Sequence, residues 1–275
     1  MATTDPKLIE GRRLSLTDSI VQGAKERVLH VQDYSKLAAK SFTNLFSPPF
    51  YFADTLDQMD HIGVGSLPIV VMTGFFIGAV MVLQTAAQFE RFGQTALTAD
   101  AVSLALVREL GPSITGLLVT GRNTSGMASE LGSMLVTEQI DAMRAMGTDP
   151  IRKLVTPRMI ATVLMLPLLT AVADVVGLIG GYVVSSFTLR LGAVAFWTRA
   201  IDVLSFSDIM QGLIKPVFFG FILSTVGCYQ GLKVTGGTQG IGRATTQAVV
   251  ISSVFILVTN FFLAKLMLFL AGHVF

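Results

Sequence analysis

The chain has 275 residues, of which 52% are hydrophobic and only 14% charged, with a formal net charge of +2. A soluble domain usually carries about 25% charged residues, so an ordinary soluble enzyme is excluded, and a charge this close to neutral gives no reason to expect nucleic acid. The single cysteine, Cys228, excludes an intrachain disulfide.

The N-terminus reads as neither a secretory signal nor a transit peptide. No short apolar core follows the start, and Asp5, Glu10, Asp18, Glu26 and Asp33 are scattered through it. Over residues 14–46, Val21, Ala24, Val28, Val31 and Leu37 recur at roughly helical spacing with Lys25, Arg27, Lys36 and Lys40 between them. That pattern predicts an amphipathic helix on a membrane surface, or an ordinary soluble helix. Pro48-Pro49 then breaks it.

Residues 62–89 contain no charge in 28 positions and residues 244–264 none in 21. A bilayer-spanning helix needs about 20 apolar residues. Five spans are predicted, at 63–88, 101–122, 159–187, 210–231 and 246–270. With a cytoplasmic N-terminus, the cytoplasmic pieces 1–62, 122–158 and 232–245 hold fourteen of the twenty Lys and Arg. The outer segments hold only Arg91, Arg190 and Arg199, and Arg108, Lys215 and Lys265 fall within or at the ends of spans, so the positive-inside rule favours this orientation, with the C-terminus on the periplasmic side.

Several charged residues interrupt the spans: Arg108 and Glu109 in the second, Asp174 in the third and Lys215 near the start of the fourth. A charge at membrane depth costs at least about 2.5 kcal/mol, so it faces a partner, a cavity or water. Long side chains at span ends snorkel instead. Asp174 is expected to be an interior hydrogen-bonding group, paired or protonated. Gly74-x-x-x-Gly78 and Gly177-x-x-x-Gly181 predict close helix packing.

The stretch "TGGTQGIG" (235–242) matches a dinucleotide-loop pattern, and Tyr229 with Lys233 gives YxxxK. The context is wrong, because such a loop follows a strand in a soluble βαβ unit. It reads as a flexible turn before a helix starting near Ala244. There is no Walker A pattern, no GxSxG elbow and no cluster of His30, His61 and His273 with cysteine that would suggest a metal.

Between the second and third spans, "TEQIDAMRAMGTDP" (137–150) carries four charges. On a helix, Glu138, Asp141 and Ala145 share one face and Ile140, Met143 and Gly147 the other. Asp149-Pro150 is expected to end that helix. A charged surface segment held between two spans suits a peg that docks on a soluble motor, though a merely solvated loop has the same charge pattern.

Four stretches, "LVRELGP" (106–112), "GRNTSGMASELGSMLVTEQIDAMRAMGTDPIRKLVTPR" (121–158), "GLIKP" (212–216) and "GGTQGIGRATTQAVV" (236–250), together resemble the MlaE-type (YrbE-like) permease family of lipid-transporting ABC systems. The similarity covers about residues 62–270, dividing the chain into an N-terminal cytoplasmic or interfacial segment, 1–61, and a permease domain, 62–275. The resemblance implies an all-α membrane protein: an N-terminal amphipathic interfacial helix, five transmembrane helices and a cytoplasmic coupling helix between the second and third spans. It implies a non-enzymatic permease subunit in a bacterial inner membrane, moving phospholipid or a related lipid.

The implied partners are a cytoplasmic ABC ATPase, which supplies the ATP and Mg chemistry, an MCE-domain protein, and a second copy of the chain. A small cytoplasmic accessory protein is a further candidate. This chain itself is expected to need no cofactor. Glu130, Glu138, Asp141, Arg144 and Asp149 are the candidate ATPase contacts. Ile77, Val80, Met81, Gln84, Glu109, Lys215, Phe255 and Phe262 are the lipid-path candidates, Glu109 and Lys215 meeting a headgroup or its counter-charge. An ion-gradient-driven secondary transporter would be expected to show inverted repeats, and a lipid-acting membrane enzyme a clustered catalytic set. Neither is visible in the sequence.

Overall fold

The computed structural model describes residues 16–188 and 192–270; residues 1–15, Arg190 and His273 lie outside them. Among the described residues every regular element is a helix. Five helical runs are long and apolar enough to cross a bilayer: Phe52–Glu90, Leu97–Val136, Ile151–Phe187, Phe206–Gly231 and Gly237–Leu270. The expected spans all fall within them, but the runs extend further. At 1.5 Å per residue the 40 residues of Leu97–Val136 measure about 60 Å, roughly twice the hydrocarbon thickness. This second run must therefore project well beyond the membrane.

We number the helices α1 (Leu16–Thr43), α2 (Phe52–Ile62), α3 (Leu67–Glu90), α4 (Leu97–Ala105), α5 (Gly111–Val119), α6 (Ser125–Val136), α7 (Gln139–Ala145), α8 (Thr156–Thr188), α9 (Ala193–Asp202), α10 (Phe206–Gly231) and α11 (Gly237–Leu270). A 3-10 turn joins α2 to α3 in the first run. The second run is α4, α5 and α6 joined by π turns at Leu106–Leu110 and Thr120–Thr124, and a third π turn, Ile151–Val155, leads into α8.

The two glycine motifs pack on each other. A Cβ on Gly78 would lie 1.8 Å from the Gly177 carbonyl oxygen, and one on Gly180 2.1 Å from that of Phe75. Without those side chains α3 and α8 run backbone to backbone, and theirs is the most extensive contact among the described helices. In lipid such packing replaces the hydrophobic drive between helices. Leu166, Leu169 and Val70 then meet Phe219, Leu223 and Ile256 in a central apolar cluster joining α3, α8, α10 and α11.

At one end α9 closes the bundle. Phe196 and Ala200 are buried against Val82, Ala99 and Val102, and the Ser103 hydroxyl donates to the Ala200 carbonyl at 2.7 Å. At the other end α1 lies across the bundle. Leu37 is buried there, while Val28 and Val31, on the expected apolar face, are exposed. Tyr34 hydrogen-bonds Thr225 at 3.0 Å, and the Tyr229 hydroxyl donates to the His30 carbonyl at 3.0 Å. Lys233 reaches Asp33 at 2.6 Å; that hydrogen bond holds the Asp33 carboxyl below its usual value.

The glycine-rich stretch near residue 236 is not a long flexible turn. Only Gly236 (φ 88°) and Gly237 (φ 65°) take the left-handed conformation, and the helix starts at Gly237 rather than near Ala244. Gly240 sits so close to the turn that a Cβ would be 1.9 Å from the Thr235 carbonyl. The glycines serve a sharp reversal between α10 and α11.

Candidate functional site

Two groups of polar residues stand apart from the packing. The first is inside the bundle. Pro112 has no N–H, so the Arg108 carbonyl one turn earlier loses its helical donor. The π turn Leu106–Leu110 spans this defect, and the Lys215 ammonium of α10 donates to the freed carbonyl at 2.8 Å.

The same ammonium donates to Glu109 Oε1 at 2.6 Å. Asn260 of α11 reaches Glu109 Oε2 at 3.4 Å, and Arg108 Nε donates to Asp208 Oδ1 at 2.6 Å. Asp208 also caps α10 through a reciprocal capping box with Ser205. Asp208, Gly212 and Lys215 form one stripe of α10. A Cβ on Gly212 would stand 2.3 Å from the Val107 carbonyl, so glycine there lets the stripe approach the π turn.

The two pairs differ in access. The Lys215 side chain is 0% exposed and Glu109 44%; Asp208 is 3% and Arg108 37% exposed. Each pair thus has one sealed member on α10 and one open member on the second run. Lys215 is committed to Glu109 and the Arg108 carbonyl, so the group it meets is a counter-charge within the chain. Glu109 keeps an open acceptor edge.

Asp174 is buried on α8, as expected of an interior group, but its Oδ1 has no hydrogen-bond partner and among the described residues it makes no ion pair, so of the two expected states, paired or protonated, the paired one is not found. That oxygen stands where a Gly111 Cβ would be, 1.7 Å away, so glycine at 111 makes room for it.

The remaining lipid-path candidates do not share one wall. Ile77 lines a cleft of about 20 Å³ with Leu110 and Ile114. Met81 packs on the cluster beneath α9. Phe255 borders an open groove of about 1190 Å³ beside Tyr34 and Tyr229. Val80, Gln84 and Phe262 are exposed. Among the residues of the most apolar stretch of α11, only 6% are buried, against 56% in α10.

The second group lies at the end of the bundle that carries α1. Here α6 stops at Val136, and Glu138 turns the chain in the left-handed conformation (φ 60°). A non-glycine residue there is strained by roughly 1–3 kcal/mol. The short helix α7 follows, and Ile140, 0% exposed, anchors it. Glu138, Asp141, Arg144 and Ala145 are exposed, and Arg144 pairs with Asp141 at 2.9 Å.

The end of α7 is set by Gly147, not by Asp149-Pro150. Gly147 has φ 77°, its N–H bonds the Arg144 carbonyl, and the Thr148 N–H bonds that of Met143, each at 3.0 Å. This is a Schellman closure. Asp149-Pro150 instead opens the next helical segment. The Asp149 carboxylate accepts from the Ile151 N–H at 3.1 Å, and Pro150 follows as the first helical residue, where no N–H is needed.

Asp149 also pairs with Lys40 of α1 at 2.7 Å. Glu130 pairs with Arg158 at 2.6 Å, Arg158 being 5% exposed and Glu130 51%. The five candidate docking residues therefore divide. Glu138, Asp141 and Arg144 are exposed at α7, the last two paired only with each other, whereas Glu130 and Asp149 tie the surrounding helices together.

Sequence reasoning missed Asp208, Asn260 and Arg158. Asp208 was detectable, because it precedes Lys215 by two turns and an Arg-Glu pair in a span calls for two partners. Nothing in the sequence pointed to Asn260 or Arg158. The helix α9 was also missed.

The model of the family "Permease MlaE" matches residues 55–266. A probable ABC transporter permease protein of Rickettsia typhi is 41% identical over 246 residues, 88% of this chain and 95% of that protein. The chloroplastic protein trigalactosyldiacylglycerol 1 of Arabidopsis thaliana is 35% identical, over 83% of this chain and 65% of its own length. The intermembrane phospholipid transport system permease protein MlaE of Haemophilus influenzae is 34% identical over 218 residues, 79% of this chain and 84% of that protein. With the family match spanning most of its length, this multi-pass chain belongs to the MlaE permease family.

Proposed function

We propose that this chain is the permease subunit of an ABC transporter that moves phospholipid or a related lipid, driven by a separate ATPase that binds ATP and Mg. Family membership and the relative named for phospholipid transport support this reading. The observation that carries it is the half-open Glu109, held by Lys215 and Asn260 within a helical run long and apolar enough to cross a bilayer. A transport path for an amphiphile needs a polar group within an apolar wall, and an intramembrane ionisable residue marks such a path.

The free face of α7 is the proposed ATPase contact, with Glu138, Asp141 and Arg144 as its charged groups. In this reading α7 and α1 face the cytoplasm and α9 the periplasm of a bacterial inner membrane. The sparsely covered α11 suits contact with a second copy. An MCE-domain protein on the α9 side and a small cytoplasmic accessory protein complete the proposed assembly.

The test is reconstitution with a co-encoded ATPase in lipid vesicles. Expected is lipid movement that needs both ATP and the ATPase. Transport by the isolated chain on an ion gradient, with no response to ATP, would refute the proposal.

A further inference from the structure

Beside α2 and α8 lies a pocket of about 270 Å³ lined by Phe52, Leu56, Met59, Ile160 and Leu164, with Asn44 and Arg152 among its lining residues. A second cavity, of about 600 Å³, shares Ile160 and Leu164 and continues along Phe42, Val217 and Phe221 with no polar side chain in its lining. The turn Asn44–Phe46 contributes to both, Asn44 lining the first and Leu45 the second. The result is a forked apolar slot with polar groups in one branch only.

Those polar groups are unfinished. Arg152 donates to the Pro48 carbonyl at 2.6 Å and to Asn44 Oδ1 at 3.3 Å. Its Nε is buried with no partner, and so is Asn44 Nδ2. Asn44 itself is only 7% exposed. Both orphans are sealed, and the donor a ligand in the slot can reach is the rest of the Arg152 guanidinium, which is only partly buried and lines the pocket.

The local charge points the same way. Lys153 pairs with Asp54 and stands over the Tyr51 ring, and Lys40 pairs with Asp149. Arg152 has no carboxylate partner among the described residues. It also stands at the start of a helical run, where the backbone dipole adds positive potential. Apolar slots open to the bilayer are covered by lipid, and the uncompensated cation selects the kind.

We propose that this forked slot binds one membrane phospholipid with an acidic headgroup. Its phosphodiester accepts from Arg152, which Asn44 Oδ1 and the Pro48 carbonyl hold in place, and its two chains lie one on each side of the Asn44–Phe46 turn. The site shares no residue with the Glu109–Lys215 cluster, so the lipid held here is a resident of the fold and not cargo in transit.

The test is native mass spectrometry of the full-length chain after extraction from vesicles of phosphatidylglycerol or of phosphatidylcholine. Two variants interrogate the site: Arg152→Gln, and Asn44→Asp, which keeps the shape and the acceptor for Arg152 but replaces the donor with a carboxylate. The wild type is expected to retain one phosphatidylglycerol in preference to phosphatidylcholine, and each variant roughly tenfold less, the worth of one charge-assisted hydrogen bond. A third variant, Leu164→Trp, fills the shared wall without touching the polar groups and is expected to lose the lipid as well. Equal retention of both lipids by the wild type and the two polar variants would overturn the proposal. Displacement by millimolar inorganic phosphate would also overturn it, because the site would then take a free anion. Lipid transport by the ATPase-containing assembly is read separately, so failure of the transport proposal leaves this measurement intact.

Discussion

Glu109 and Lys215 differ in what their loss leaves behind. Replacing Glu109 with Gln leaves a fully enclosed ammonium with neutral acceptors and no counter-charge, a loss that costs about 3–5 kcal/mol for a wholly buried pair and less here, where Glu109 is half-open. Replacing Lys215 with Met fills the same volume and leaves the half-open Glu109 to water or lipid. We expect Glu109→Gln to lower thermal stability in detergent more than Lys215→Met, and the double variant to recover most of the loss. All three are expected to impair ATP-driven transport. If the double variant is no more stable than Glu109→Gln, the two side chains do not form the energetic unit described. The need for partners was legible in the sequence, since charges within spans demand them. Their identity was not, because a residue in one helix does not specify which face of which other helix will meet it. Asn260 illustrates this: an amide among apolar residues gives no signal until α11 is placed against the π turn.

Among the helices, α3 and α8 owe their contact to missing side chains. A Cβ at Gly78 collides with backbone, which cannot rotate aside. Gly78→Ala should therefore destabilise the protein by at least about 1–3 kcal/mol, whereas Gly126→Ala, with nothing within 4 Å, should be neutral or slightly stabilising. Thermal unfolding of the two variants decides this. Equal midpoints would mean that the two helices can separate freely. For α7 the expectation is different: Glu138→Lys with Asp141→Lys leaves insertion and folding intact, because neither side chain is buried and the anchor is Ile140. Co-purification with the ATPase, or its stimulated ATP hydrolysis, should fall at least tenfold. Unchanged assembly and hydrolysis would remove α7 from the interface. The amphipathic pattern of α7 was readable from residue types. Its boundary was misread, because Gly147 and Asp149-Pro150 lie two residues apart, and which of them stops a helix and which starts one depends on hydrogen bonds that spacing alone does not reveal.

For the whole molecule, the arrangement of five runs places α7 and α9 at opposite ends of the bundle. With the buried Cys228 replaced, a cysteine at position 145 should be labelled from the cytoplasmic side only and one at position 200 from neither side, because Ala200 lies on the buried face of α9. A cysteine at the exposed Thr198 should be labelled from the periplasmic side. The reverse pattern would invert the proposed orientation. The sequence by itself determined that the chain is an all-helical membrane protein with five spans, because the uncharged lengths it contains exceed what a bilayer requires and nothing else can satisfy the backbone there. It also determined which charges needed partners and which glycines allowed close approach. Only the tertiary structure decided that Lys215 is sealed and Glu109 open, that the glycine motifs meet each other, and that Arg152 lines an apolar slot without a carboxylate partner. Those outcomes depend on which helix faces meet, and that is settled by packing between residues distant in sequence, which no local pattern encodes.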